Sequence, residues 1–375
     1  MSGAVPPGHA QAIVYEGPGR LTLRAVPIPS TGPDDMLVEV ELCGVDGSEL
    51  HMFRGELGWI NDRAPLIFGD EIIGRVSAIG PAAEARRGLA IGDRVTIEAR
   101  WPCATCPEPG TCQYFRCDNN PGRRGYGAIG LADPPGLWGG YASHVHVPRE
   151  ALAYRIPDAM AAGTALVAGS VFANGLRWSE LSGAAPGKTL AIIGPGPQGL
   201  GCALAANQLG ARVLVIGLEQ DSVRLACAAR YGADTVAIGA GEAEADVVAR
   251  CQALVGPVDA VIELAGSSPA KSLAFALVRS KGLVANASVP FPAVQPFDWM
   301  GALMKELTVI NPVSHPHMVA RALEAAAALL AQGVNVGDLI THVFPLADAE
   351  QALCVAAYET DERPVKVALD PRRSA

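Results

Sequence analysis

The stretch Thr189-Leu190-Ala191-Ile192-Ile193-Gly194-Pro195-Gly196-Pro197-Gln198-Gly199-Leu200-Gly201 decides the fold. A short apolar run of β-favouring residues passes directly into a glycine-rich turn, and residues 198–208 continue with the apolar spacing of a helix. Strand, G-x-G-x-x-G turn and helix in that order form the context a dinucleotide-binding motif requires; the same glycines elsewhere would be only a turn. Gly194 permits the tight turn, Gly196 lets the backbone approach a pyrophosphate, and Gly199 lets helix pack close to strand. Pro197 and Gln198 open the helix, whose free N–H groups and dipole would hold the phosphates.

Outward from this turn, apolar runs at 212–216, 260–263 and 283–287 alternate with Ala-rich helical patterns such as 222–231. That alternation is the signature of βαβ units in a doubly wound parallel sheet, and it predicts an α/β dinucleotide-binding (Rossmann) domain over residues 161–311. Residues 11–100 have a different texture, with short β-runs at 11–15, 37–42, 71–79 and 93–98 punctuated by Gly and Pro. They read as a β-rich, barrel-like body. After residue 312 one helical pattern (318–330) and two strand-like ends (340–344 and 364–369) return the chain to that first domain, which spans 1–160 and 312–375.

The second strand of the parallel sheet bears on the choice of dinucleotide. An acid at its end normally binds the ribose hydroxyls of NAD, but here the position is Gly217, which would leave room for the 2′-phosphate of NADP. No Lys or Arg lies between Gly217 and Val223, and Glu219 and Asp221 would repel a dianion. Arg224 is the nearest cation. The balance favours NAD(H) over NADP(H), with Glu219 as a substitute ribose ligand.

The chain has 375 residues, enough for two domains with full cores. Its 18% charged and 50% hydrophobic residues exclude disorder for the bulk. A net charge of −9 argues against nucleic-acid or anionic-membrane partners. The N-terminus lacks the basic and apolar regions of a secretory signal, and no apolar stretch is long enough to span a membrane, so a cytoplasmic location is expected. In that compartment nine cysteines are better explained by metal ligation and free thiols than by disulfides. Cys103, Cys106, Cys112 and Cys117 fall within 15 residues and supply four thiolates, enough for one closed, tetrahedral structural zinc site. Such a site would fold its loop and do no chemistry.

Taken together, the β-rich first part with its four-cysteine lobe, the fingerprint, Gly92-Asp93-Arg94-Val95, Gly139-Gly140-Tyr141-Ala142 and the segment 225–234 resemble the zinc-type medium-chain dehydrogenase/reductase superfamily. That superfamily includes alcohol, sorbitol, glucose and threonine dehydrogenases. The resemblance runs from residue 11 to 370 and implies a GroES-like catalytic domain, a homodimer or homotetramer associating near residues 284–313, and a small-molecule substrate.

The departures from the family pattern carry information. The family's catalytic-zinc motif G-x-C-G-[ST]-D-x-H-x-x-x-G appears as Gly44-Val45-Asp46-Gly47-Ser48-Glu49-Leu50-His51-Met52-Phe53-Arg54-Gly55, with Asp46 in place of the ligand cysteine. Cys43 falls three residues early and reads as a buried thiol. The motif G-H-E appears as Gly69-Asp70-Glu71, and Ala168-Gly169-Ser170 stands where many relatives have a further glutamate. Asp46, Asp70 and Glu71 could hold a metal through oxygen, better suited to Mg or Mn than to zinc. Alternatively the site is metal-free, with carboxylates protonated or paired with Arg. The second reading is favoured, since the thiolate and the imidazole are both gone.

The family's Ser/Thr–His relay maps onto Ser48, to bind the substrate oxygen, and His51, to pass a proton toward solvent. Asp46, Asp70 or Glu71 would then serve as general base or neutral acid. His144, His146, His315 and His317 read as surface or strand residues. The leading expectation is an NAD(P)-dependent oxidoreductase acting on a secondary alcohol or ketone, polyol- or amino-alcohol-like, without catalytic zinc. Zinc-independent reduction of an activated C=C bond and a nucleotide-binding protein whose catalysis has lapsed are the alternatives.

Overall fold

The computed structural model describes residues 6–103, 114, 125–290 and 292–374. It divides into two compact units, residues 1–170 with 319–375, and residues 171–318.

The first unit is built on a seven-stranded sheet. Its order is Ile340–Pro345, Lys366–Asp370, Met36–Val45, Ile72–Ile79, Arg94–Ile97 and Ala153–Arg155, with His144–Val147 also paired to Met36–Val45. A second sheet of three strands orders Arg20–Pro27, His9–Gly17 and Leu66–Ile67. Inward-facing Val, Ile and aromatic residues of both sheets form one core, in which Tyr15 stacks on Phe68 at 4.8 Å between ring centroids and Phe68 meets Tyr141 edge-on. The C-terminal strand runs antiparallel to Met36–Val45 in the register Leu369 to Cys43, Ala368 to Gly44 and Val367 to Val45. One step further along each strand stand Lys366 and Asp46, so two residues 320 positions apart are brought level by sheet register alone.

The second unit is a six-stranded, wholly parallel sheet in the order Asp234–Ile238, Arg212–Leu218, Thr189–Ile193, Val258–Glu263, Val278–Asn286, Thr308–Ile310. This is the 3-2-1-4-5-6 order of the Rossmann fold, with its switch point between the first and fourth strands. The central strand Thr189–Ile193 and the helix Pro197–Gln208 stand where the sequence places them. The helix is almost entirely lined by small buried residues, and Gly201 and Gly175 let it lie against the helix Ala173–Leu181 with backbone nearly touching backbone. No helix among the described residues is long and apolar enough to cross a membrane.

Candidate active site

Asp46 directly follows the strand Met36–Val45 and caps the helix Gly47–Phe53. Its Oδ1 accepts from Glu49 N at 3.0 Å, while Glu49 Oε2 accepts from Asp46 N at 3.1 Å, a reciprocal capping box. Asp46 Oδ1 also accepts from Ser48 Oγ at 2.8 Å. Asp46 thus serves as the N-cap of this helix and holds the Ser48 hydroxyl. Glu49 is buried, and Tyr141 Oη donates to its Oε2 at 2.5 Å. Burial, reinforced by Asp46 and Asp70, holds the Glu49 carboxyl well above the ordinary carboxylate range.

Asp70 and Glu71 precede the strand Ile72–Ile79. Gly69 has a φ of +100°, and a Cβ there would press on Cys43 Sγ, Gly140 N and the Tyr141 ring, so only glycine lets the chain turn here into the carboxylate pair. Asp70 is half-buried. Desolvation, with Asp46 and Glu71 adding repulsion, raises its carboxyl to about 8 against the pull of Arg100 and Lys366. Asp70 therefore carries a proton through most of the neutral range while keeping part of its surface accessible.

Glu71 turns inward. Its carboxylate occupies the space beside Gly44, where any side chain would overlap it, and Lys366 Nζ lies 2.5 Å from its Oε2. Lys366 also donates to the Val45 carbonyl at 3.2 Å. Burial raises the Glu71 carboxyl although Lys366 opposes the shift; burial would lower the Lys366 ammonium, yet Glu71, Asp46 and Glu49 together raise it. Ser170, in the π-helical turn Ala168–Phe172, donates to Leu166 O at 3.0 Å and lies beside the Glu71 carboxyl, whose upward shift it opposes. The structure thus gathers Asp46, Ser48, Asp70, Glu71 and Ser170 in one region of the first unit, together with Glu49, Tyr141 and Lys366. Sequence reading missed Lys366, and its one signal was a lysine inside the apolar run Val365-Lys366-Val367-Ala368-Leu369 in a chain with few lysines.

His51, one turn after Ser48, contacts Glu56 through Nδ1 at 2.5 Å with part of its ring in solvent. Cys43 is buried, and burial with its acidic neighbours pushes its thiol well above the usual range. In the cysteine lobe, Cys103 is buried beside Tyr114, whereas Cys106, Cys112 and Cys117 lie outside the described residues.

In the second unit, Gly194 takes a φ of +100° and packs against Leu264 and Ala265, and Gly196 caps the helix with open space where a side chain would be. A Cβ on Gly199 would overlap the Gly194 carbonyl, so this glycine serves the turn more than the strand. At Gly217 the Pro195 ring lies 2.6 Å and Asp221 Oδ2 3.2 Å from where a Cβ would stand. Asp221 accepts from Leu218 N at 2.9 Å, leaving Glu219 exposed at the start of the turn and Arg224 half-buried one helical turn on. His315 departs from its reading as a surface or strand residue, since it is a buried loop residue, 4% exposed.

Two family models match the chain, one described as an alcohol dehydrogenase GroES-like domain over residues 32–158 and one as a zinc-binding dehydrogenase over residues 197–330. A Mycobacterium tuberculosis (CDC 1551) protein named "Probable alcohol dehydrogenase" is 34% identical over 94% of this chain and 96% of its own length. A Neosartorya fischeri protein named "Probable D-xylulose reductase A" is 29% identical over 94% of this chain and 95% of its own. Among solved structures, a "putative zinc-binding dehydrogenase" from Sinorhizobium meliloti 1021, bound to NADP, superposes with a TM-score of 0.79 at 28% identity, covering 97% of this chain and 99% of that one.

Proposed function

The chain belongs to the zinc-type medium-chain dehydrogenase/reductase family, and from that membership we propose a specific chemistry: hydride exchange between NAD(H) and a secondary alcohol or ketone, with a carboxylic acid in place of catalytic zinc. The family places the chain among NAD(P)-dependent alcohol and polyol oxidoreductases. What carries the rest is the Lys366–Glu71 ion pair lying against Asp70.

Zinc prefers thiolate and imidazole, and the residues at its family positions do not fit it. Asp46 Oδ1 is engaged by the helix N-terminus and Ser48, Glu71 is engaged by an ammonium group, and Asp70 favours its neutral form. No step is therefore routed through a metal at this site. In the reducing direction, hydride arrives at the carbonyl carbon and the oxygen needs a proton; neutral Asp70 is the donor, and Lys366 then faces the carboxylate it leaves. In the oxidising direction Asp70 accepts the hydroxyl proton. Ser48, its own hydrogen directed to Asp46, keeps lone pairs with which to accept from a substrate hydroxyl and orient it. His51, paired to Glu56, exchanges protons with solvent. A site lined with carboxyl groups suits a polyol or an amino-alcohol better than an anion.

For the cofactor, the exposed Glu219 and the lack of Lys or Arg between Gly217 and Val223 support NAD(H) over NADP(H). The spacing of Cys103, Cys106, Cys112 and Cys117 supports one structural zinc. Trp299, Met300, Leu303 and Met304 expose large apolar surfaces on the helix Trp299–Met304, close in sequence to the edge strand Thr308–Ile310, which supports association of two copies along that edge. The reading is tested by following deuteride from 4-labelled NADH into a panel of ketones and a panel of enones. Label on the carbinol carbon is the expected result. Label at the β-carbon of an enone would favour C=C reduction, and tight NADH binding without turnover would favour lapsed catalysis.

A further inference from the structure

The second strand of the parallel sheet, Arg212–Leu218, leads into the turn that bears Glu219, and its outer neighbour Asp234–Ile238 runs level with it, Gly217 beside Ala237 and Leu218 beside Ile238. The two strands therefore finish side by side. Gly239 follows the outer strand directly, and a Cβ there would lie 3.5 Å from Glu219 Oε1 and 3.8 Å from Glu242 Oε2, so two carboxylates flank one backbone position. Glu219 is exposed and Glu242 is half-buried. Only Glu242 has a cation on it. Arg250, from the helix Glu244–Val255, brings Nη2 to 2.8 Å from Glu242 Oε1 and 2.9 Å from Oε2, and the same nitrogen donates to Ala237 O at 2.8 Å. Gly239 N donates to Glu242 Oε2 at 3.0 Å. The pair remains open to solvent, with 46% of the Arg250 side chain and 21% of the Glu242 side chain exposed.

In a sheet of this order the end of the second strand meets the adenine ribose: an acid there binds the hydroxyls of NAD, or an arginine nearby accepts the 2′-phosphate of NADP. No Lys or Arg lies between Gly217 and Val223, but the fold brings the Arg250 guanidinium to the adjoining strand end from a separate helix, all within the second unit. A guanidinium recognises phosphate through the same planar donors with which it holds a carboxylate, so a phosphate could use Arg250 only by displacing Glu242. The displaced carboxylate would stand with Glu219 as a second like charge against the phosphate. Discrimination of this kind is built against the wrong ligand and leaves the contacts of the right one alone. We propose that Glu242 is a specificity-determining residue for the dinucleotide: by keeping Arg250 occupied at the end of the outer strand, it excludes the 2′-phosphate of NADP(H).

This rests on the NAD(H) reading above, and the test separates the two. Full-length wild type, Glu242→Gln and Glu242→Gln with Arg250→Leu are titrated with NADH and NADPH, and each protein is read as the ratio of the two dissociation constants. Glutamine keeps an oxygen for Gly239 N while removing the charge that holds Arg250. Wild type is expected to favour NADH. Glu242→Gln shifts the ratio about tenfold toward NADPH, the worth of one charge-assisted hydrogen bond, and added salt shrinks the shift. The second substitution abolishes it, because no guanidinium is left to release. An unchanged ratio in Glu242→Gln, or the same shift with Arg250→Leu also present, would overturn the proposal and leave the NAD(H) reading standing. Loss of NADH binding in Glu242→Gln would also overturn it, since the pair would then serve the turn and not the choice of cofactor. A wild type that favours NADPH, or binds neither nucleotide, would overturn the NAD(H) reading and this proposal with it.

Discussion

Lys366 Nζ lies 2.5 Å from Glu71 Oε2, with 1% and 5% of the two side chains exposed. A buried ion pair of this kind is weak evidence for stability as a whole, but removing one partner strands the other's charge. Lys366→Met is expected to cost about 3–5 kcal/mol in denaturant unfolding, and Lys366→Met with Glu71→Leu to recover most of it. A single-variant loss below about 1 kcal/mol would mean that the charges are not paired in solution.

Asp70→Asn is expected to lower kcat for ketone reduction about 10²–10⁴-fold, the usual worth of a general acid, while NADH binding is retained. In wild type the reductive rate falls as pH rises through about 8, because the donor loses its proton, and the oxidative rate rises over the same interval. Folding stability gives an independent check. The folded-state pKa is raised, so the stabilising effect is full below the unfolded pKa of about 4 and is lost as pH rises to about 8. Asp70→Asn should remove that slope, whereas a slope common to both proteins would assign the titration to another group.

For the cofactor, calorimetry should give tighter binding of NADH than of NADPH, and Glu219→Ala should weaken NADH about tenfold, the loss of one charge-assisted hydrogen bond of about 1.5 kcal/mol. Tighter binding of NADPH would remove Glu219 from the ribose site.

Leu303→Glu with Met304→Glu places charge on the exposed helix Trp299–Met304. Light scattering is expected to report a mass reduced from that of the assembled wild type to that of one chain, with the fold unchanged by circular dichroism. A doubly substituted protein of unchanged mass would move the interface elsewhere.

Four of the six parallel strands are legible in the sequence because each is a short apolar run bounded by turn residues, whereas Asp234–Ile238 and Thr308–Ile310 are not singled out by it. Thr189–Ile193 is the plainest case, since the glycines that follow it need no tertiary context to be read. The candidate site is only half legible. Asp46, Ser48, Asp70 and Glu71 stand out through local motifs. Lys366 meets Val45 across 321 positions, and Tyr141 meets Glu49 across 92, through register and core packing that no local window contains. The capping box of Asp46 is visible only once residues 47–53 are known to be helical.

The claim that a carboxylic acid replaces catalytic zinc is tested most directly by metal analysis of the purified protein and of its Asp46→Asn and Asp70→Asn variants. The account predicts about one zinc per chain, that of the four-cysteine lobe, and the same content in both variants. About two zinc per chain, with one lost on either substitution, would contradict it.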